Sequence, residues 1–230
     1  MGSHNTGTNS DYPQADLETK FDKACQDKPN QAGYPIFEVS YVYNDTTKTL
    51  RLTVEQIQVA DSLTPEVFKT PVDVEITTKE SSKTYRIFIS ERKQTFDFSV
   101  NSKPLMVIFD KGNWILKDLF FEKSKDELIY QALNVSEMID RLWAVQELGR
   151  MVDKKDVVDV MMKLIKSGEF YAVRQEAINN LGKLKDESTA RFLIDVFKNE
   201  QDSKVRRSIV EASGRGFDRN SRQKDNYQKT

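Results

Sequence analysis

The chain has 230 residues, 38% of them hydrophobic and 10% aromatic, enough to bury roughly 70% of its unfolded surface as one large or two small domains. Thirty-five basic against thirty-six acidic side chains leave a net charge of -1, so no molecule-wide field draws in a polyanion and a nucleic-acid role would need a local patch. A single cysteine, Cys25, excludes an internal disulfide framework and a thiolate metal cluster.

The first ten residues, Met1 to Ser10, are too polar and too rich in Gly and Ser to pack, and they lack the apolar centre of a signal peptide. The longest apolar run, Pro104 to Phe109, is far short of the ~20 residues that span a bilayer. As written, the chain is expected to be cytoplasmic, with no membrane partner.

From Ile36 to about Asp110 the apolar pattern has period two. Phe37, Val39, Tyr41 and Tyr43 alternate with Glu38, Ser40 and Val42; after the turn-forming Asn44-Asp45, Leu50, Leu52 and Val54 alternate with Arg51, Thr53 and Glu55. Further strands follow at Val72 to Ile76, Tyr85 to Ile89, Phe96 to Val100 and Leu105 to Asp110. Six or seven short strands with no helical pattern between them predict an antiparallel β-sandwich over residues 34–117. Pro65 and Pro71 bracket an irregular crossing between sheets.

From about Lys117 the period becomes helical. Leu128, Ala132 and Leu133, then Met138, Leu142, Val145 and Leu148, lie on amphipathic faces. Ser136 with Glu137 predicts a helix start, and Gly149 a left-handed C-terminal cap. The stretch from Arg141 to Gly149 returns as Arg174 to Gly182 and as Arg206 to Gly214. Counted from the arginine, position three is Ala144, Ala177 or Ile209, position four Val145, Ile178 or Val210, and position seven Leu148, Leu181 or Ser213; all fall on one helical face. Four residues beyond each glycine stands Asp153, Asp186 or Asp218. After the first two aspartates a second helix is predicted, with Val157, Val160, Met161 and Leu164, then Ala190, Leu193, Ile194 and Phe197, facing inward. Glycines 33 and then 32 residues apart fit a two-helix solenoid. Beyond Asp218 the matching positions, Arg222, Asp225, Asn226 and Lys229, are polar, which leaves the third unit as half a unit.

Residues Lys183 to Gly214 resemble the short HEAT-type repeat. That resemblance implies stacked helix pairs in which the arginines and aspartates at the turns hold neighbours together. The fold class is therefore multidomain, β then α: an antiparallel β-sandwich followed by a HEAT-like α-α solenoid over residues 118–217, with a polar basic tail at 218–230.

The sandwich carries a second resemblance. Gly33-Tyr-Pro-Ile-Phe-Glu-Val-Ser-Tyr41, Leu50-Arg-Leu-Thr-Val-Glu-Gln-Ile-Gln58 and Thr64-Pro-Glu-Val-Phe-Lys-Thr-Pro-Val-Asp-Val-Glu-Ile76 are similar to the non-catalytic β-sandwich of gluzincin zinc aminopeptidases of the aminopeptidase N type. Ser99 to Asp110 and Ser124 to Met151 extend the likeness, which covers Leu17 to Gly214. It departs at the front, where Phe21 to Lys28 replaces the aromatic-rich helix that usually precedes Gly-x-Pro. Residues 1–33 then read as a disordered tail and the remnant helix of a preceding domain.

In that family zinc is held by H-E-x-x-H on a helix and a downstream Glu, because two imidazoles one turn apart and a carboxylate bind the metal while another Glu acts as base. This chain has one histidine, His4, and lacks the family's Gly-Ala-Met-Glu-Asn clamp. The resemblance thus implies a non-catalytic module without a cofactor of its own, which braces a zinc metallopeptidase domain and shapes peptide access. A free-standing HEAT-type scaffold for another protein is the alternative. Nucleic-acid binding through the basic end ranks third.

The remaining chemistry has plain explanations. Glu122, Asp126 and Glu127 sit at a helix start, where dipole and solvation account for them. From Lys204 to the end, eight Lys or Arg face three acids, a local +5. Lys204, Arg206, Arg207 and Arg215 are the candidate patch, and a solvated terminus is preferred over a polyanion site because aromatic interleaving is sparse. Arg141, Arg174 and Arg206 are expected to be structural. Tyr12, Tyr34, Phe37, Tyr41, Tyr43 and Trp114 are expected to serve core and cross-strand pairing. Asn44-Asp-Thr46 and Asn134-Val-Ser136 match the glycosylation pattern, which chance explains in a chain read as having no secretory signal.

Overall fold

The computed structural model of the protein describes residues 33–167 and 170–214. They fall into two compact units divided between Lys123 and Ser124. Strands in two sheets come first and six helices follow, a β-then-α arrangement. The expected tail and remnant helix at 1–33, the basic tail at 218–230 and Asp218 lie outside the described residues, apart from Gly33.

The β unit contains β1 (Ile36–Asn44), β2 (Thr49–Gln56), β3 (Thr70–Thr77), β4 (Ser82–Ile89), β5 (Lys93–Ser99), β6 (Met106–Phe109) and β7 (Asp118–Phe121). One sheet has the order β5-β2-β1-β7 and the other β4-β3-β6. Alternation turns Phe37, Val39, Leu50, Leu52 and Val54 of the first sheet and Val72, Val74, Ile76, Ile87 and Ile89 of the second into the core. Across the sheets Phe37 meets Phe109 edge-on at 5.2 Å, and Tyr85 meets Phe98 at 4.7 Å. The β1–β2 turn closes because Asn44 Oδ1 accepts hydrogen bonds from the Thr46 and Thr47 amides, at 2.9 and 3.1 Å.

The crossing between β2 and β3 carries two prolines, and buried glutamines do the work of a strand partner there. Gln56 exchanges two hydrogen bonds with the backbone of Phe68, at 3.0 and 2.8 Å, and Gln58 donates to the Glu66 carbonyl at 3.0 Å. Pro71 lies inside β3 rather than before it. It pairs with Phe88 on β4, whereas β6 pairs only with Val74 to Thr77, so the missing proline donor falls where β3 has no second neighbour.

The β unit runs to Lys123, past the boundary expected at 117. Asp118 to Phe121 pair in parallel with Ile36 to Val39, a contact between distant parts of the chain that four residues of alternation could not announce. It is also a parallel pair in a sandwich expected to be antiparallel throughout.

The helical unit comprises α1 (Lys125–Asn134), α2 (Met138–Leu148), α3 (Lys155–Lys166), α4 (Tyr171–Leu181), α5 (Glu187–Asn199) and a sixth helix, α6, at 203–214. Ser124 begins α1 by accepting from the Glu127 amide at 3.2 Å, while Asp126 and Glu127 sit in the positive first turn. The core stripe is the predicted one: Leu128, Ala144, Val145, Leu148, Val157, Met161, Leu164, Ala177, Ile178, Leu181, Leu193 and Ile209 are all buried. Three expected core positions are not. Met138, Ile194 and Val210 are exposed, on α2, α5 and α6.

Gly149 and Gly182 do not form left-handed caps. Their φ angles are -61° and -60°, ordinary right-handed helix. A side chain at either position would collide with the next repeat: a Cβ on Gly149 would come within 2.5 Å of Asn180 Cγ, and one on Gly182 within 2.9 Å of the Ala212 Cβ. The glycines recur because helices pass too close for a side chain.

Candidate functional site

The recurrent arginines perform one task three times. Each stands on the second helix of a pair and turns its guanidinium to the carbonyls that end the first, which have no partner within their own helix. Arg141 donates through Nε to the Val135 carbonyl at 3.1 Å, just beyond α1. Arg174 donates to Ile165 at 3.1 Å in the last turn of α3. Arg206 donates to Phe197 at 3.2 Å and to Glu200 at 3.0 Å at the end of α5, with its guanidinium 3.9 Å over the Phe197 ring. Positive charge at a helix C-terminus is favourable in itself. Arg174 also forms a buried ion pair with the carboxylate of Glu200, which ties the second repeat to the third. Glu200 was not singled out in the sequence, because it lies outside the recurring skeleton.

The glycines define the spaces between repeats. In the second and third stretches position six, Asn180 or Ala212, supplies the residue that meets the preceding glycine. Asn180, fully buried, donates to the Val145 carbonyl of α2 at 2.9 Å. One helix further on, Gln175 of α4 donates to the Lys204 carbonyl and the Ser208 hydroxyl of α6, at 3.2 and 3.0 Å. Gly214 differs, since a Cβ added there would meet no atom within 4 Å.

The aspartates are unequal. Asp186 caps α5, accepting from the Thr189 amide at 2.9 Å and the Thr189 hydroxyl at 2.7 Å. Burial raises its carboxyl, but hydrogen bonds from Ser188 and Thr189 outweigh that and hold it below the usual carboxylate range. Asp153 is one residue too early to cap α3, whose cap is Lys154; it pairs with Lys154 at 2.9 Å, and the neighbour-holding role that the HEAT resemblance implied does not apply to it.

The candidate basic patch is largely committed to contacts within the repeats. Lys204 lies 3.9 Å from the centre of the Tyr171 ring, Arg206 serves the end of α5, and Arg207 pairs with Glu211 at 2.9 Å. Arg215 lies outside the described residues. A cleft of about 240 Å³ opens beside the Arg174–Glu200 pair, with Lys166 and Asn199 at its rim.

The β unit presents a surface of a different kind. Asp110, with φ +57°, and Lys117 form an ion pair in which both side chains are at least 96% buried. The Asp110 carboxylate also accepts from the amides of Trp114 and Ile115, at 3.3 and 3.0 Å, and Lys117 donates to Asn113 at 2.6 Å. With Lys117 and Phe121 fixed inward, alternation drives Trp114, Leu116 and Phe120 outward, 85%, 78% and 57% exposed. This corrects the expectation that Trp114 is a core or cross-strand residue. Tyr34, also partly exposed, joins the same edge through a hydrogen bond to Asp118 at 3.3 Å, whereas Phe37 is core as expected and Tyr41 meets Phe121 edge-on. Tyr12 lies outside the described residues.

Among the described residues no three His, Cys, Asp or Glu side chains gather in a way that could hold a metal ion, and no helix is long and apolar enough to cross a membrane.

Comparison with known proteins follows the same division. A family model for HEAT repeats matches residues 126–214, so the helical part is similar to HEAT repeats, a class of helical array that presents extended surfaces to other proteins. Among solved structures, the aminopeptidase A of Legionella pneumophila, determined in complex with aspartic acid, is similar with a TM-score of 0.62 at 9% identity. The match covers 84% of this chain and 29% of that one. At such low identity the likeness is one of fold. No curated protein matches the chain by sequence.

Proposed function

We propose that this chain is the non-catalytic part of an aminopeptidase-like protein of the gluzincin type, working in the cytoplasm. Its sandwich braces a zinc metallopeptidase domain, and its HEAT helices narrow the route by which peptides reach that domain. The observation that carries the reading is the fold likeness, which takes in most of this chain but under a third of the aminopeptidase. The exposed apolar side chains of Trp114, Leu116 and Phe120 support it, since a cluster of outward apolar groups in one short segment is suited to a second domain. The sole histidine, His4, cannot supply two imidazoles to a zinc ion. The pure chain is expected to release no para-nitroaniline from alanyl-para-nitroanilide, with or without added zinc; measurable turnover would sink the proposal.

The second reading, a free-standing HEAT scaffold for another protein, is favoured by the open outer side of α6. The coding sequence immediately upstream separates the two. An in-frame H-E-x-x-H supports the first, and its absence raises the second. A nucleic-acid role gains little from the geometry, because Lys204 and Arg206 already have partners within the repeats.

A further inference from the structure

The outer side of α6 repeats, without an occupant among the described residues, the features by which α2 receives α4 and α4 receives α6. Position four is fully buried in the first two helices, as Val145 and Ile178, but Val210 is 59% exposed. Position eight is glycine each time; Asn180 closes over Gly149 and Ala212 over Gly182, while among the described residues no atom lies within 4 Å of where a Cβ on Gly214 would stand. Position one supplies a donor to the incoming helix in α4, where Gln175 reaches a carbonyl and a hydroxyl of α6. In α6 that position is Arg207, again a donor, paired among the described residues with the exposed Glu211. Residues four and eight lie one turn apart on one side of the helix, so Val210 and Gly214 form one stripe with Arg207 at its head.

We propose that this stripe is a docking surface for an amphipathic helix of the same repeat type, supplied by a protein partner. The occupant's chemistry is read from the two filled spaces. It sets a small side chain, alanine or asparagine, over Gly214, packs an apolar side chain on Val210, and offers Arg207 a carbonyl or hydroxyl oxygen. A folded second copy does not fit this description, because its Asn180 and Ala212 are already seated on its own Gly149 and Gly182. The inference extends an interface that the chain already builds twice, and it stands whether or not the peptidase reading survives.

The probe is a fluorescent, hydrocarbon-stapled peptide with the sequence of residues 201–214, whose staple removes the cost of helix nucleation, titrated with the full chain and followed by anisotropy. Saturable binding is expected, lost in the chain variants Gly214→Trp and Val210→Asp, whose melting temperatures stay at the parent value because both side chains point into open space. Arg207→Ala should weaken binding by about tenfold, and a peptide carrying Ala212→Trp should not bind. Absence of saturation up to about 1 mM, or binding that survives Gly214→Trp and Val210→Asp, overturns the proposal; the latter result would mean that the peptide invades the space above Gly182 instead.

Discussion

Glycine does different work in the two units. In the β unit Gly33 and Gly112 have φ angles of +85° and +80°, where the absence of a Cβ makes an otherwise strained backbone accessible. In the helical unit Gly149 and Gly182 have ordinary helical angles, and the absence of a Cβ matters to a neighbouring helix instead. The first use concerns a turn and the second an interface. The same residue type is therefore a local signal in one half of the chain and a tertiary one in the other.

That distinction can be broken by substitution, beginning where the largest loss is expected. Gly149→Leu should destabilise the helical unit by about 3 kcal/mol in urea unfolding followed by circular dichroism, because a large side chain is forced into the space of buried Asn180. Gly149→Ala should cost about 2 kcal/mol even though alanine is the better helix former by ~1 kcal/mol. Its pairing with Asn180→Ala should recover much of the loss, and a stabilising Gly149→Ala would refute the packing account. Gly182→Ala should cost less, about 1 kcal/mol, since it meets only a methyl group and nearby backbone.

In the β unit, Gly112→Ala should also cost about 1 kcal/mol, for the left-handed backbone, with the exposed Trp114 ring turning aside from a Cβ that would stand 2.7 Å from its Nε1. There Gly112→Asn should be milder than Ala, as asparagine tolerates that region, whereas Gly149→Asn should be worse than Ala. Reversal of that order would erase the distinction. Gly214→Ala should have the opposite sign, stabilising by roughly 0.5 kcal/mol, because no atom of the described residues lies within 4 Å of the added methyl group and helix propensity decides.

The sequence made the glycine recurrence plain but not its cause. Periodicity shows which side of one helix is apolar, and the collision that forbids a side chain at Gly149 involves Asn180 on another helix. For the same reason the sequence pattern places the onset of helix at β7, whose four residues are extended because they pair with Ile36 to Val39 far back in the chain. Strands with eight or nine residues of their own, such as β1 and β2, were legible from alternation alone. The arginines were recognisable as structural by recurrence, yet their targets, main-chain carbonyls at the ends of preceding helices, carry no sequence identity at all. The apolar ridge at Trp114 was hidden because an outward tryptophan and an inward one look alike until the buried Asp110–Lys117 pair fixes which residues face in.

The smallest expected effect separates the two repeat aspartates by pH. The Asp186 carboxyl is held below its ordinary value by bonds from Ser188 and Thr189, so its charged form stabilises the folded helix. That contribution is complete above the unfolded carboxylate value of about 4 and is lost as pH falls through the lower folded value. Asp186→Asn keeps an oxygen for the Thr189 amide but not the charge, so it should melt slightly below the parent at neutral pH, by less than about 1 kcal/mol of stability, with the gap closing as the solution is acidified below about pH 4. Asp153 is also held low, by its bond from Lys154, but that pair is exposed to solvent and holds no helix end. Asp153→Asn should therefore track the parent at every pH, and if it instead reproduced the behaviour of Asp186→Asn, capping geometry would not be what distinguishes the two turns.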